Sequence, residues 1–222
     1  MKLISKADGF EFETYHAQPT DARRGGLVLI PEIFGVTAGI KRMADGFAEA
    51  GYEVLVPHVF DRCERGYDVE RKPETFETGF RYVQEVGFDR VIGDVQACID
   101  ALKGPVFITG FCYGGTVTWL AAARCTGLTA ASAYYGGSIK DFLNEAPKVP
   151  IILHFGKKDH YIPAETREAI AAAYPDAPIY LYDADHGFYS DDRPDYQVEP
   201  AALSKLRTLQ FFHQAASGKI EA

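Results

Sequence analysis

The sequence predicts an α/β fold in which a mostly parallel central sheet carries helices on both faces. Short apolar runs alternate with amphipathic stretches along the chain, as expected when strands and crossover helices follow one another. The run Leu27-Val28-Leu29-Ile30 is apolar on both strand faces, which is typical of a strand buried in a parallel sheet. The 222 residues show no repeat and no linker, so we expect a single domain over residues 1–222.

Local patterns predict each element in chain order. Residues 10–17 alternate apolar and polar side chains, which indicates an edge strand. Residues 39–50 have helical periodicity and are followed by Gly51, a residue that commonly ends helices. The polar stretch 60–73 predicts a loop. The other strands are predicted at 25–32, 52–59, 105–111, 128–135, 149–155 and 178–182, and the other helices at 74–85, 89–103, 114–124, 163–174 and 199–216.

Composition and charge exclude several classes of function. Apolar residues make up 47% of the chain, enough to predict a packed core rather than disorder. The net charge of −8 repels phosphate backbones and anionic lipids, so we expect neither nucleic acid nor a membrane as partner. No signal-peptide pattern and no apolar run of membrane-spanning length is present, which predicts a cytoplasmic protein. Its expected partner is a small molecule, and its expected state is a monomer or homodimer.

The four cysteines are Cys63, Cys98, Cys112 and Cys125. None belongs to a CxxC pair, and none lies near a histidine at the spacing of a zinc site, so we expect no metal and no cofactor. Cys98 and Cys125 fall in apolar helical stretches and are predicted to pack in the core.

Cys112 lies in a different context, a glycine-rich turn between a predicted strand and a predicted helix. The segment Gly110-Phe111-Cys112-Tyr113-Gly114-Gly115 has the form of a G-x-S-x-G nucleophile turn with sulfur in place of oxygen. Side chains at Gly110 and Gly114 would collide as the chain folds back. The turn places the sulfur at a helix N-terminus, where free N–H groups favour a thiolate and can hold a developing oxyanion. We therefore predict that Cys112 is a nucleophile.

A general base and an orienting acid are expected after later strands. Asp159 follows the strand at 149–155, and His186 follows the strand at 178–182. Successive strand ends meet at one edge of a parallel sheet, which favours a Cys112–His186–Asp159 triad. His186 would take the thiol proton and later activate water, while Asp159 would fix its tautomer. The rival histidine is His160, and the rival acids are Asp183 and Asp185.

The segment that follows the strand at 25–32 contributes the remaining candidates. In hydrolases with such a nucleophile turn, this loop supplies a second oxyanion N–H, for which we select the Ile33 amide beside that of Tyr113. Glu32 is a carboxylate at the end of a buried strand, which is costly unless it is bonded. Its partner is either nearby backbone or an arginine, or alternatively the Cys112 thiol.

Together these segments resemble the dienelactone hydrolase (carboxymethylenebutenolidase) family. The similarity extends over residues 25–212 and rests on five motifs: P-E-I-F-G-V at 31–36, G-F-C-Y-G-G at 110–115, A-Y-Y-G-G at 133–137, G-K-K-D-H-Y-I-P at 156–163 and H-G-F at 186–188. The resemblance implies the α/β-hydrolase fold and hydrolysis of an enol-lactone. It implies these roles: a triad of Cys112, His186 and Asp159, oxyanion amides of Ile33 and Tyr113, Glu32 bonded to the resting thiol, and Tyr135 near the substrate.

The resemblance also implies two arginines that hold a substrate carboxylate, and here the chain departs from the family. Ser190 and Phe76 stand at the two corresponding positions. Arg193 can replace the first arginine only if its loop bends, and the second can be replaced by one of Arg71, Lys72 and Arg81.

Two alternatives remain open beside a hydrolase of small esters or lactones. One is a general carboxylesterase or thioesterase acting on neutral aryl or acyl esters. The aromatic residues expected near the site favour flat apolar substrates; they are Phe34, Tyr113, Tyr135 and Phe188. The other alternative is a redox sensor that oxidises Cys112 reversibly. A sensor does not require His186 and Asp159 at successive strand ends, so their presence favours catalysis.

Overall fold

The computed structural model describes residues 1–220, which form an eight-stranded sheet connected by helices. The strands are β1 (Lys2–Ile4), β2 (Glu11–Ala17), β3 (Gly25–Ile30), β4 (Tyr52–Pro57), β5 (Val106–Phe111), β6 (Ala130–Tyr134), β7 (Ile151–Gly156) and β8 (Ile179–Tyr182). The helices are α1 (Ala38–Ala48), α2 (Pro73–Val86), α3 (Phe88–Ala101), α4 (Tyr113–Arg124), α5 (Ala164–Ala173) and α6 (Val198–Ala216), with a 3₁₀ helix at Gly137–Phe142.

The strands are arranged in the order β1-β2-β4-β3-β5-β6-β7-β8. β1 and β2 run antiparallel to their neighbours, and the other strands pair in parallel. The central strands β3, β5, β6 and β7 are buried along their whole length, because both faces of the sheet are covered. The predicted fold class is therefore confirmed.

The register of the parallel strands brings their carboxyl ends to one edge of the sheet. Ile30 of β3 is opposite Gly110 of β5, and Phe111 of β5 is opposite Tyr134 of β6. Gly156 at the end of β7 pairs with Tyr182 at the end of β8. The segments that follow these strands therefore converge, and they carry the candidate catalytic residues.

Two short elements were not predicted from the sequence. β1 has three residues and is bound to β2 at the edge of the sheet, and the 3₁₀ helix at Gly137–Phe142 packs beside α4. Neither is long enough to show a periodic pattern, so tertiary contacts determine both. The strand predicted at 52–59 ends earlier, at Pro57.

Cys98 and Cys125, both predicted to pack in the core, are buried, and so is His154. His154 lies inside β7, and its Nδ1 is 2.9 Å from the Tyr182 hydroxyl. Burial lowers the pKa of His154 to about 3, so this imidazole is neutral at physiological pH. Within residues 1–220, the helices fall short of the length and apolar character required to cross a membrane.

Candidate active site

Cys112 occupies a strained turn between β5 and α4. Its backbone has φ 56° and ψ −115°, a conformation that side-chain-bearing residues seldom adopt outside functional sites. A Cβ at Gly110 would collide with the Gly114 carbonyl, and a Cβ at Gly114 would collide with the Ile30 carbonyl. The Cys112 amide donates a hydrogen bond to the Tyr134 carbonyl at 3.1 Å. These contacts hold Cys112 at the end of the sheet, where the sequence placed it.

The structure brings His186 and Asp159 into direct contact. His186 Nδ1 lies 2.8 Å from Asp159 Oδ2, and both side chains are buried. Asp159 Oδ1 accepts hydrogen bonds from the amides of Tyr161 and Ile162, at 2.9 and 3.1 Å. The carboxylate is therefore fixed on both oxygens, and it in turn orients the imidazole.

Within residues 1–220, none of the three rival residues bonds to the His186 ring, and Asp185 accepts only from the His186 backbone amide, at 2.7 Å. The His160 side chain is 85% exposed and its Nε2 lies 3.5 Å from Asp185 Oδ2. The Asp183 carboxylate is also exposed and pairs with Lys158. Neither position is suited to a buried base or its orienting acid.

The protonation of His186 is set by its neighbours. Burial by itself lowers the pKa of the imidazole, but the charge of Cys112 and the hydrogen bond with Asp159 outweigh it and raise the pKa to about 10. Beside a Cys112 thiolate, His186 is therefore an imidazolium at neutral pH. A cation beside sulfur is the arrangement that activates a thiol as a nucleophile.

The two candidate oxyanion amides lie at the same cavity as Cys112. Ile33 and Tyr113 both line it, and neither amide donates a backbone hydrogen bond within residues 1–220. Tyr113 is the first residue of α4, whose N-terminal N–H groups have no partner inside the helix. The Tyr113 ring is itself stacked between Phe60 and Phe88, at centroid distances of 5.8 and 5.7 Å.

Glu32 is bonded to an arginine. Arg193 Nη2 donates to Glu32 Oε2 at 2.7 Å, and both side chains are buried. Among the hydrogen bonds of residues 1–220, none joins Glu32 to Cys112, so the thiol contact implied by the family resemblance is not formed. The physical reason is that a charge-assisted bond to guanidinium is stronger than a bond from a thiol. Within residues 1–220, Glu32 Oε1 and Arg193 Nη1 have no hydrogen-bond partner.

Arg193 reaches the site because its loop bends. Successive turns join Ser190 N to the Gly187 carbonyl and Arg193 N to the Ser190 carbonyl, both at 3.0 Å. Gly187 has φ 78°, and a Cβ there would collide with the Arg193 guanidinium. The position next to His186 therefore has to be glycine for Arg193 to reach Glu32. Ser190, at the family's arginine position, is buried, and its hydroxyl finds no partner in the part of the chain that the structure describes.

Tyr135 lies behind His186 and is not among the residues that line the cavity. Its φ of 37° at the end of β6 turns the ring inward, to 4.9 Å from the His186 ring and 5.5 Å from the Phe188 ring. Burial, followed by the Glu32 carboxylate, raises the pKa of Tyr135 above its usual range. In this structure the tyrosine packs against the base, and its place near the substrate stays a prediction.

Cys112 and His186 open into a cavity of about 250 Å³. Its walls are mainly apolar, and the side chains around it come from six segments of the chain: Ile33, Phe34, Arg71, Phe76, Phe80, Val83, Phe88, Tyr113, Thr116, Ser138, Tyr161, Ile162 and Arg193. Of the three basic candidates, Arg71 lines this cavity and Lys72 lines only a neighbouring groove. Arg81 stacks over Tyr82 instead.

Sequence reasoning missed most of the cavity wall. Phe76, Phe80 and Val83 face the cavity from α2, and their spacing of four and three residues is the signal that predicts a shared helix face. Ser138 lies on the unpredicted 3₁₀ helix, and Thr116 lies one turn after the nucleophile, so local patterns gave no indication of either.

Comparisons with known proteins give a consistent set of similarities. The model of the dienelactone hydrolase family matches residues 12–216. A carboxymethylenebutenolidase of Pseudomonas putida is 28% identical over 97% of both chains. A provisionally assigned carboxymethylenebutenolidase of Escherichia coli (strain K12) is 33% identical over 96% of this chain and 86% of its own. The crystal structure of a provisionally assigned dienelactone hydrolase from Klebsiella pneumoniae is 30% identical, with a TM-score of 0.80 over 96% of this chain and 97% of that one.

Proposed function

The chain belongs to the dienelactone hydrolase family and is a hydrolase of ester or lactone bonds, and from this premise we propose that Cys112 is its nucleophile. The observation that supports the proposal is a cysteine with φ 56° that shares a cavity with a buried His186–Asp159 pair. Backbone strain at a nucleophile-bearing turn is a cost that a merely structural cysteine does not require. The substrate is a small ester or lactone.

Acylation begins with attack of Cys112 Sγ on the ester carbonyl carbon. The carbonyl π electrons move to oxygen, and the resulting oxyanion accepts hydrogen bonds from the Ile33 and Tyr113 amides. As the tetrahedral intermediate collapses, the bond to the leaving oxygen breaks and His186 donates its proton to that oxygen. The product is a thioester on Cys112, with a free alcohol, or with an enol that remains attached when the substrate is a lactone.

Deacylation reverses the roles of the same groups. His186, now neutral, removes a proton from water, and the hydroxide equivalent attacks the thioester carbonyl. The carbon–sulfur bond breaks, the carboxylic acid is released, and Cys112 regains its negative charge beside the imidazolium. Asp159 keeps Nδ1–H in place throughout and stabilises the positive charge on the ring.

The test compares the wild type with Cys112→Ala and His186→Ala on dienelactone, p-nitrophenyl acetate and p-nitrophenyl butyrate. We expect each substitution to lower kcat by about 10³-fold or more, because members of such a triad act as a unit. His160→Ala is the matched control and should retain wild-type turnover, since this ring is exposed and outside the cavity. Intact-protein mass spectrometry should detect an acyl adduct in the wild type and none in Cys112→Ala.

Equal turnover by the wild type and both variants would contradict the nucleophilic role. A redox sensor gives a different pattern, because it needs the thiol and not the base. If His186→Ala retained a peroxide response that Cys112→Ala lost, and none of the esters was hydrolysed, the sensor hypothesis would replace this one.

A further inference from the structure

Two guanidinium groups line the catalytic cavity, and each is already bonded to a carboxylate. Arg193 Nη2 donates to Glu32 at 2.7 Å. Arg71 Nη1 donates to Asp195 Oδ2 at 3.0 Å, with both side chains mostly buried. Asp195 is not itself a lining residue, so it acts on the cavity only through Arg71. The positive charges that the cavity presents are therefore balanced before a substrate enters.

The remaining donors of the two arginines are closed to an incoming substrate. Arg71 Nε and Arg193 Nη1 are fully buried, and within residues 1–220 neither has a hydrogen-bond partner. A carboxylate in the cavity would therefore lie close to Glu32 in a poorly solvated space, where like charges repel strongly, or would have to displace Glu32 or Asp195 to reach a guanidinium. An uncharged ester avoids both penalties.

The rest of the wall is suited to a flat ring. Phe34 and Phe76 meet edge to face, with centroids 5.0 Å apart. The Arg193 guanidinium lies 5.9 Å from the Phe34 ring, and the Arg71 guanidinium lies 5.1 Å from the Phe76 ring. Aromatic faces of this kind bind a planar apolar group through dispersion and quadrupole contacts.

We propose that Glu32 and Asp195 are specificity-determining residues that adapt this cavity to uncharged aromatic esters and disfavour anionic ones. The inference rests on the proposed function, since it concerns the substrate class of the same nucleophile. Neither carboxylate lines the cavity, but Glu32 directly precedes the oxyanion residue Ile33, whereas Asp195 reaches the cavity only through its ion pair with Arg71. Asp195 therefore gives the sharper test.

The experiment uses the full chain and two substrates that differ in charge, methyl 4-acetoxybenzoate and 4-acetoxybenzoate. Both carry the same acetyl ester on the same ring, and only the second bears a carboxylate. For the wild type we expect kcat/KM to be at least about tenfold higher for the neutral ester, equivalent to about 1.4 kcal/mol. Asp195→Asn should reduce that preference several-fold, mainly through a lower KM for the anionic ester.

Asp191→Asn is the matched control. Asp191 pairs with Arg42 at 3.0 and 2.6 Å, and neither residue lines the catalytic cavity. Asp191→Asn changes the net charge by the same amount as Asp195→Asn and lies in the same loop. Because it leaves the Arg71–Asp195 pair intact, the wild-type preference for the neutral ester should persist. If both variants reduce the preference for the neutral ester equally, the role of Asp195 is overturned and a general charge effect is indicated.

The outcomes also separate this inference from the proposed function. A wild type that favours 4-acetoxybenzoate, with turnover abolished by Cys112→Ala, overturns the substrate class and leaves the nucleophile in place. Equal kcat/KM values of the wild type for the two esters would likewise overturn the proposed substrate class and leave the nucleophile in place. Failure to hydrolyse either ester in a Cys112-dependent manner overturns the proposed function, and the inference with it.

Discussion

Arg62 and Arg193 are both largely buried guanidinium groups held by carboxylates, but they differ in the number of hydrogen bonds that they donate to those carboxylates. Arg62 donates to both oxygens of Asp8, at 3.0 and 2.8 Å, and to both oxygens of Asp94, at 2.7 and 2.9 Å. Arg193 makes a single bond to Glu32, and among the described residues 1–220 one buried polar atom on each of the two side chains has no partner. We refer to Arg62, Asp8 and Asp94 as the Arg62 cluster.

The difference indicates that the Arg62 cluster contributes to stability, whereas the Glu32–Arg193 pair belongs to the catalytic site. The Arg62 cluster ties the N-terminal segment and the loop after β4 to Asp94 of α3, and its bonding capacity is used within the protein. A buried pair with unpartnered atoms is a poor stabiliser, because desolvation is not fully compensated. The Glu32–Arg193 pair instead lies at the catalytic cavity, which Arg193 lines together with Cys112, so its charge balance acts on the site.

The largest effect is expected from a substitution that breaks the Arg62 cluster. Arg62→Met leaves the fully buried Asp94 without its cation, so we expect a loss of about 3–5 kcal/mol in the free energy of unfolding. The midpoint of thermal unfolding should fall by roughly 10 °C. Below that midpoint, kcat/KM should remain at the wild-type value, because the cluster does not contact the cavity.

Replacing both partners is the control for this prediction. In Arg62→Met/Asp94→Leu the buried carboxylate is also removed, and much of the lost stability should return. If the double variant is as unstable as the single one, loss of packing rather than a stranded charge is the cause.

The second-largest effect is expected when a substitution at Gly187 disturbs the Glu32–Arg193 pair. Gly187→Ala adds a Cβ at φ 78° that collides with the Arg193 guanidinium, and we expect kcat/KM to fall roughly 10–100-fold as Arg193 and His186 shift. Gly66→Ala has a similar φ of 69° with open space around the new Cβ, so it incurs the backbone strain alone. A comparable loss of activity in Gly66→Ala would mean that strain, and not displaced Arg193, lowers the rate.

The smallest effect concerns how kcat/KM depends on pH. Because the pKa of His186 is raised to about 10, the imidazolium that pairs with Cys112 is lost only as the pH rises through that value. We expect the alkaline limb of kcat/KM near pH 10, well above the ordinary histidine pKa of about 6.5. His160→Ala should leave the limb unchanged. An alkaline limb near pH 6.5 would indicate an imidazole without the charged partner.

Local patterns were sufficient for the long elements and for the motif that carries the nucleophile. The buried strands β3 and β5 are continuous apolar runs, and hydrophobic periodicity identifies such elements directly. The glycines around Cys112 were predictable because their requirement is steric and lies within five residues of the sequence. The choice of His186 over His160 followed from strand order alone.

Contacts between distant segments were not predictable in the same way. Glu32 and Arg193 are 161 residues apart, and their pairing depends on a bend that places Arg193 beside Gly187. The inward turn of Tyr135 depends on a positive φ that its residue type does not favour. Arg71 was one of three basic candidates, and only the packing of its loop against Phe76 placed it at the cavity.

The sequence by itself determined the order of the strands and helices, the strained turn at Cys112 and the strand ends that carry Asp159 and His186. These features follow from steric rules and periodicity, which act over a few residues. Only the tertiary structure decided which charges face the cavity and which carboxylates neutralise them. The physical reason is that a buried ion pair is set by how separate loops pack, and that packing leaves no local pattern in the chain.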